Sequence, residues 1–170
     1  MKKTILETAR LKVQIVQEED IEPLYKDCFS DKEVMKLLLG RTFTLKETKA
    51  YVEANFSKGS ILDFCVAFTK VSNELIGYIG MFTYGYNNRE DEYEFGYILK
   101  QEAWGKGYAT ELSLGQIKKL KESFPSCTIW ATAHPENMAS KKVLKKVKMT
   151  CVEEQITMPK RGLRDVYKLT

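Results

Sequence analysis

The alternation of apolar and polar residues predicts the first elements of the chain. Leu11-Lys12-Val13-Gln14-Ile15 alternates with the period of a half-buried strand. Apolar residues then recur at three- and four-residue steps between Ile21 and Phe29, which predicts a helix that begins at the acidic Glu18-Glu19-Asp20. A second short helix is expected after Ser30-Asp31, and Gly40 ends this helical region.

A helix and three strands are predicted for the middle of the chain. Thr44-Leu45-Lys46-Glu47 is a capping box, so a helix is expected to begin there and to reach about Ser57. Three extended segments follow, and the turn-forming residues between them predict an antiparallel meander. The segments are 61–70, 75–84 and 93–99, with turns at Ser72-Asn73-Glu74 and Gly85-Tyr86-Asn87-Asn88.

Helices and strands alternate in the rest of the chain. Residues 107–124 have helical spacing and stop before Pro125, whereas 128–133 are strand-like. Asn137 is expected to cap a helix whose buried stripe is Ala139, Val143 and Val147, and 149–158 and 165–169 are expected to be closing strands around Gly162. Because strands and helices interleave only partly, the pattern favours an α+β (mixed α/β) sheet with helices on both faces over a doubly wound parallel fold.

Composition limits the classes of protein that need be considered. The 170 residues are 44% hydrophobic, which is enough for one core and predicts a single domain, 1–170. The formal net charge of +4, with both signs mixed along the chain, does not favour nucleic-acid binding. No apolar run is long enough to span a membrane and the first residues lack a signal-peptide pattern, so we expect a cytoplasmic protein with no membrane partner.

The cysteines and the single histidine predict neither a disulfide nor a metal site. The four cysteines are far apart, form no Cys-x-x-Cys motif and are expected to be free, mostly buried thiols. The single histidine, His134, has only Glu136 at ligand spacing, so we expect no metal.

A glycine turn between a strand and a long helix is the most informative segment. Gly105 and Gly107 allow left-handed backbone and close approach, while the first amides of the following helix lack intrahelical partners. Such a turn can hold a phosphate or pyrophosphate, although it is also compatible with an ordinary helix entrance. It is not a dinucleotide-binding fingerprint, because Thr110 stands where a third Gly or Ala belongs, and no Walker-type Gly-Lys-Ser/Thr follows.

The residues around this turn resemble a known family. Trp104-Gly105-Lys106-Gly107-Tyr108-Ala109-Thr110-Glu111, preceded by Glu94 to Leu99 and followed by Asn137 to Leu144, is similar to the GNAT superfamily of acetyl-CoA-dependent N-acetyltransferases, and most similar to its ribosomal-protein N-terminal acetyltransferase branch. The resemblance extends from Glu7 to about Val152. It implies a central, mostly antiparallel twisted sheet of about six to seven strands, splayed in the middle.

The resemblance also implies how acetyl-CoA, as co-substrate, would bind. Ile98 and Leu99 would pair through their backbone with the pantetheine arm, Asn137 would contact the same arm, and Lys142 would meet the 3′-phosphate. Lys148 stands where the family usually has a helix-ending glycine, so we expect a different helix cap there. The backbone amides that would bind the pyrophosphate are those of Gly105, Lys106, Gly107, Tyr108, Ala109 and Thr110.

Acetyl transfer to an amine requires a base, because the amine must be neutral before it attacks. Strand alternation places Glu94 and Gly96 on one face and Tyr93, Phe95 and Tyr97 on the other. By the resemblance Glu94 is the candidate base, directly or through water; the alternative is a solvated strand carboxylate, and His134 is the remaining titratable candidate. By the same resemblance Ser140 is the candidate donor to the leaving thiolate, and water or a purely structural serine are its alternatives.

The function expected from these residues is transfer of an acetyl group from acetyl-CoA to a primary amine, either a protein N-terminus or a small molecule. The alternative is a non-catalytic acyl-CoA-binding sensor. The lysine-rich segment 141–148 is expected to be a solvated helix face with no nucleic acid as partner. The acceptor cannot be identified from the sequence, and a monomer and a homodimer are both compatible with it.

Overall fold

The protein has an open eight-stranded sheet with helices on both faces. The computed structural model describes residues 2–84 and 91–169, so the predicted turn at 85–88 lies outside the described residues. The strands are β1 (Thr4–Glu7), β2 (Leu11–Gln14), β3 (Asp63–Thr69), β4 (Leu75–Thr83), β5 (Glu92–Leu99), β6 (Thr128–Ala133), β7 (Met149–Met158) and β8 (Gly162–Leu169). The helices are α1 (Glu18–Leu24), α2 (Lys32–Met35), α3 (Leu45–Asn55), α4 (Tyr108–Ser123) and α5 (Met138–Lys146).

The strands follow the order β1-β2-β3-β4-β5-β6-β8-β7 across the sheet. Every described pairing between strands is antiparallel except that of β5 with β6. The predicted α+β class, the antiparallel meander of β3 to β5 and the helices on both faces are therefore confirmed. The expected six to seven strands are too few, because β1 carries two adjacent apolar residues, Ile5 and Leu6, instead of an alternation.

Two apolar layers hold the helices against the sheet. On one face α1, α2 and α3 pack through Leu24, Met35 and Val52. On the other face α4 and α5 pack through Leu112 and Leu144, against β-strand residues such as Phe95. The sheet is thus covered on both faces.

Most predicted boundaries agree with the structure. The Thr44 capping box is present, with the Thr44 hydroxyl accepting from the Glu47 amide, and α3 ends at Asn55, near the expected Ser57. β8 begins at Gly162, three residues before the predicted Asp165. All four cysteines are free, and Cys28, Cys65 and Cys127 are buried, as expected.

The predicted buried stripe of α5 is wrong in part. Ala139 is exposed, whereas Leu144 and Val147 are buried and Ser140 is half-buried. Amphipathic patterning assigned the apolar Ala139 to the core. The buried side of the helix is instead centred on Leu144 and Val147.

The C-terminal end of α5 also departs from expectation. Lys148 follows the C-cap Val147 and itself adopts the left-handed conformation, with φ of 66°. The expectation of a different cap is therefore wrong, because a lysine takes the backbone conformation that a glycine would take more easily. A side chain in this conformation costs about 1–2 kcal/mol.

We expect Lys148→Gly to raise the free energy of unfolding by about 1 kcal/mol relative to Lys148→Ala, since both remove the side chain and only glycine relieves the strain. Urea denaturation of the two variants measures the difference. Equal midpoints would show that the left-handed residue is not strained.

Candidate active site

The sheet opens at its only parallel pair within the described ranges. β5 and β6 are paired at Glu92 with Thr128, Tyr93 with Ile129 and Glu94 with Trp130, and the register ends there. Both strands continue beyond this point, to Leu99 and Ala133 respectively. The ends of β5 and β6 therefore diverge, and a gap separates their backbones, as the expected splay requires.

The direction of the β5 backbone groups follows from its pairing with β4. The Tyr84 amide donates to the Glu92 carbonyl at 2.7 Å, and the Lys100 amide donates to the Ile76 carbonyl at 3.0 Å. Since hydrogen-bonded positions alternate in an antiparallel pair, even-numbered residues of β5 bond β4. The odd-numbered Tyr97 and Leu99 direct their backbone groups into the gap.

This geometry changes the prediction for the pantetheine arm. Ile98 lies in a position whose backbone bonds β4, and the Leu99 carbonyl accepts a hydrogen bond of 2.8 Å from Nε1 of Trp104. Of the two residues named from the sequence, only Leu99 offers an amide to the gap. Tyr97, which was not named as a cofactor residue, offers both an amide and a carbonyl.

The glycine turn presents a row of amides at the start of α4. Gly105 and Gly107 have φ of 72° and 80°, and Gly107 is the N-cap of this 16-residue helix without a side-chain cap. The first backbone bond of the helix runs from Glu111 to the Gly107 carbonyl. Within residues 2–84 and 91–169, none of the six amides from 105 to 110 donates a hydrogen bond to a protein group.

A cluster around Glu111 holds this turn against the β1–β2 connection. The Glu111 carboxylate accepts hydrogen bonds from the Thr8 hydroxyl at 2.6 Å, from the Arg10 amide at 2.8 Å and from Arg10 Nε at 2.6 Å. Arg10 also donates to the Lys106 carbonyl at 3.0 Å and lies over the ring of Tyr108. The turn is therefore fixed by residues about a hundred positions earlier, which leave its amides unused.

A cleft of about 550 Å³ passes through the gap from one face of the sheet to the other. Of the predicted site residues it is lined by Glu94, Ile98, Asn137 and Ser140. Leu99, Lys142 and the turn 105–110 do not line it. A second depression of about 430 Å³, between α1 and α3, contains none of the predicted residues.

Glu94 is buried in this cleft and is part of an ion pair. Its carboxylate accepts from Arg161 Nη1 at 2.6 and 2.7 Å and from the Thr132 hydroxyl at 3.0 Å. The side chain is only 9% exposed, so the alternative of a solvated strand carboxylate is wrong. A carboxylate accepts about four hydrogen bonds, and three are used here.

Asn137 and Ser140 lie at the first turn of α5, as predicted. The Asn137 side-chain oxygen accepts from the Ser140 amide at 3.0 Å and so caps the helix. The Tyr97 hydroxyl donates to Ser140 Oγ at 3.3 Å. Burial raises the pKa of the Tyr97 hydroxyl, an effect that the hydrogen bond with Ser140 offsets only in part, so Tyr97 stays protonated at neutral pH.

The lysine-rich helix is arranged mainly as expected. Lys142, Lys145, Lys146 and Lys148 are exposed. Lys141 differs, because it is half-buried and forms an ion pair of 2.5 Å with Asp165. His134 lines the cleft, and its Nδ1 accepts from the Glu136 amide at 3.2 Å.

Several site residues were not identified from the sequence. Tyr97 was placed correctly on the apolar face of β5, but nothing in its neighbours indicated that α5 would bring Ser140 to it. Arg161 and Arg164 were also missed. They lie in or next to the β7–β8 turn, and they line the cleft because the sheet order places β8 beside β6. Glu111 and Arg10 are separated by 101 positions, so no local signal connects them.

The fold and the cleft agree with comparisons to known proteins. Residues 10–150 match the family model described as acetyltransferase (GNAT) domain. YnaD, an uncharacterised N-acetyltransferase of Bacillus subtilis (strain 168), is 30% identical over 142 residues, which cover 84% of this chain and 80% of the relative. The chain therefore belongs to the GNAT acetyltransferase family, and is an N-acetyltransferase by this membership.

Solved structures show the same fold. A GNAT-family acetyltransferase from Bacillus anthracis is 25% identical, with a TM-score of 0.82 over 99% of this chain and 98% of the other. RimL, a ribosomal L7/L12 alpha-N-protein acetyltransferase solved in complex with coenzyme A, is 16% identical, with a TM-score of 0.77 over 98% and 97% of the two chains. At that identity the likeness to RimL is one of fold.

The described part of the chain also shows two absences. None of its helices has the length and apolar character needed to cross a bilayer. No group of three or more His, Cys, Asp or Glu residues lies there in an arrangement that could hold a metal ion.

The Glu111 cluster generates a prediction about stability and pH. Burial raises the pKa of the Glu111 carboxyl, but the hydrogen bonds from Thr8 and Arg10 lower it further, so its pKa in the folded protein lies below the usual value. A carboxyl with a lowered pKa adds stability above its unfolded pKa of about 4.3, and this stability is lost as the pH falls through the folded pKa.

We expect Glu111→Gln to lower the free energy of unfolding by about 1.5–3 kcal/mol at pH 7, and the difference from the wild type to shrink as the pH falls below about 4. Denaturant titrations across this pH range measure it. Glu122→Gln is the matched control on the same helix, because the exposed pair with Lys118 contributes about 0.5 kcal/mol or less. A pH-independent effect at Glu111 would contradict the assignment.

Proposed function

We propose that this protein transfers the acetyl group of acetyl-CoA directly to a primary amine. The observation that carries the proposal is the row of six backbone amides, 105 to 110, without protein acceptors at the N-terminus of a long helix. Backbone amides and the positive end of the helix dipole together favour a phosphate group. The GNAT membership and the fold shared with a coenzyme A complex support this reading.

The proposed path of the cofactor follows from the gap in the sheet. With the pyrophosphate on Gly105, Lys106, Gly107, Tyr108, Ala109 and Thr110, the pantetheine arm enters between β5 and β6. There it pairs with the amides of Tyr97 and Leu99 and with the Tyr97 carbonyl, beside Ile98. Asn137, the N-cap of α5, lines the cleft and contacts the arm from that side. Lys142, exposed on the outer face of α5, meets the 3′-phosphate.

The proposed chemistry is direct attack of the neutral amine on the thioester carbonyl. Glu94 removes the amine proton, directly or through a water molecule, with the carboxylate lone pair that Arg161 and Thr132 leave unused. The carbonyl oxygen becomes an oxyanion, which a backbone amide of β5 directed into the gap stabilises. Collapse of the tetrahedral intermediate breaks the carbon–sulfur bond and gives the acetylated amine and the CoA thiolate.

In this proposal the Ser140 hydroxyl donates a hydrogen bond to the leaving thiolate. Because Tyr97 donates its own proton to Ser140 Oγ, the serine proton is free to point toward the sulfur. The Tyr97 hydroxyl then keeps Ser140 oriented toward the sulfur. Water remains the alternative donor, because a thiolate of pKa about 8.5 does not demand a strong acid.

The wider setting is part of the same proposal. The acceptor is a protein N-terminus or a small-molecule amine, no metal takes part, and neither nucleic acid nor a membrane is a partner. A cytoplasmic location and a single domain over 1–170, as a monomer or homodimer, stay predictions.

Gly107→Ala tests the phosphate cradle. The added Cβ would meet Arg10 Nη2 at 3.4 Å and would be strained at φ of 80°, so the turn should shift and the dissociation constant for CoA should rise about tenfold. Isothermal titration with CoA measures it. Gly40→Ala is the control, because Gly40 has φ of 72° and open space around it but lies far from the turn in the chain. If the wild type, Gly107→Ala and Gly40→Ala bound CoA with equal affinity, the proposed phosphate cradle would be wrong.

Glu94→Gln tests the proposed base. We expect kcat for acetyl transfer to fall by about 10²–10⁴-fold while the affinity for CoA is unchanged. A thiol-release assay with a panel of amines measures the rate. Glu47→Gln is the control, since it also removes a carboxylate paired with an arginine, Arg41, but does so outside the cleft. A wild type that binds CoA and acetylates none of the panel would favour the acyl-CoA sensor.

A further inference from the structure

Arg164 is a buried cation in the cleft that contains Glu94, the proposed base. It lies on β8, is only 6% exposed and lines the cleft beside Arg161 and Glu94. Its Nη1 donates to the Leu163 carbonyl at 2.7 Å, and its Nη2 donates to the Leu38 carbonyl, beyond α2, at 2.9 Å. These two bonds use two of the five N–H donors of a guanidinium.

Arg164 forms no ion pair with any carboxylate of residues 2–84 and 91–169. Buried charges in proteins are normally paired, because desolvation of an uncompensated charge is costly. Burial, and secondarily the neighbouring Arg161, lower the pKa of the Arg164 guanidinium from its usual value, an effect that the nearby Glu94 carboxylate offsets only in part. Among the described residues of the cleft, Glu94 is the one carboxylate that could balance this charge, and it is already paired with Arg161.

The rest of the described cleft lining does not supply that charge. Three cationic side chains, Lys160, Arg161 and Arg164, face one carboxylate, Glu94. Both Glu94 oxygens accept from Arg161, so the one carboxylate already has a partner. A molecule that enters the cleft from this side therefore meets an excess of positive charge.

A purely structural role does not account for Arg164. The two carbonyls that it bonds could be served by a neutral donor, such as a glutamine amide, without the cost of burying a charge. A guanidinium is instead suited to bind a carboxylate through two parallel hydrogen bonds. Three N–H donors of Arg164 remain, and a pair of parallel hydrogen bonds to a carboxylate needs two of them.

We propose that Arg164 binds a carboxylate of the acceptor, so that the protein acetylates amines that carry a negative charge close to the amino group. This inference rests on the proposed acetyl transfer and specifies the substrate of that same site. The carboxylate belongs either to a free amino acid or to an acidic side chain next to a peptide N-terminus.

Matched amine pairs test the proposal in the full-length protein. Glycine and β-alanine are compared with their carboxamides, and the peptide Ala-Glu-Phe-amide with Ala-Gln-Phe-amide, with acetyl-CoA saturating. Rates are expressed per concentration of neutral amine, because converting a carboxylate to an amide lowers the pKa of the neighbouring amine. We expect kcat/KM at least about tenfold higher for the carboxylate in one of the two arms, and the arm that shows it identifies the source.

Arg164→Gln should remove this preference, with the ratio of carboxylate to carboxamide falling to about one. Arg164→Lys, which keeps the charge, should restore part of it, and this rescue separates recognition from a failure to fold. Arg41→Gln is the matched control, because Arg41 is an exposed arginine outside the cleft and should keep the wild-type ratio.

A binding measurement keeps the inference testable without turnover. Isothermal titration of the CoA-loaded protein compares N-acetylglycine with N-acetylglycinamide, and N-acetylated Ala-Glu-Phe-amide with N-acetylated Ala-Gln-Phe-amide. The carboxylate should bind more tightly in the pair that shows the kinetic preference, and this difference should vanish in Arg164→Gln. Transfer without any carboxylate preference, or a preference that survives Arg164→Gln, overturns the inference and leaves the acetyltransferase proposal standing. Carboxylate binding without transfer to any amine overturns the proposed function instead.

Discussion

The architecture of the site depends on the point where the parallel pairing of β5 and β6 ends. Backbone N–H and C=O groups must find partners, and a sheet normally supplies them along its whole length. After Glu94 and Trp130 the two strands separate, so Tyr97 and Leu99 direct backbone groups into a gap that no neighbouring strand fills. The cleft through the sheet is the direct result, and it connects the layer of α4 and α5 with the layer of α1 to α3.

Two sets of contacts hold this opening in shape. At the glycine turn the Glu111 carboxylate binds Thr8 and Arg10, and Arg10 also binds the carbonyl of Lys106, so the turn is positioned without using its amides. On the opposite side Arg161 binds Glu94, while Arg164 bonds the carbonyl of Leu38. The β7–β8 end of the sheet is thereby tied to β5 and to the segment after α2, on either side of the cleft.

The sequence was sufficient for the fold class and for most of the elements, because those follow from local periodicity. The alternation of Leu11, Val13 and Ile15, the Thr44 capping box and the Asn137 cap are all present in the structure. Periodicity failed at Ala139, an apolar residue that is exposed, and it gave no sign that Lys148 would adopt a left-handed backbone. The Glu94 ion pair was not predictable, since Arg161 lies 67 positions away and meets it only through the sheet order.

The proposed phosphate cradle and the proposed acceptor pocket differ in how they can be recognised from a sequence. A phosphate cradle built from backbone needs only glycines and a helix start, so it leaves a short continuous motif at 104–111. An acceptor pocket is built from side chains of separate elements, and the Arg164 contact with Leu38 joins residues 126 positions apart. Such a pocket leaves no motif, and its character emerges only from the balance of charge that the fold assembles. In the described lining of the cleft this balance is positive, because Lys160, Arg161 and Arg164 face the one carboxylate of Glu94. An arginine exposed to solvent needs no partner, but Arg164 is buried, so its charge calls for one.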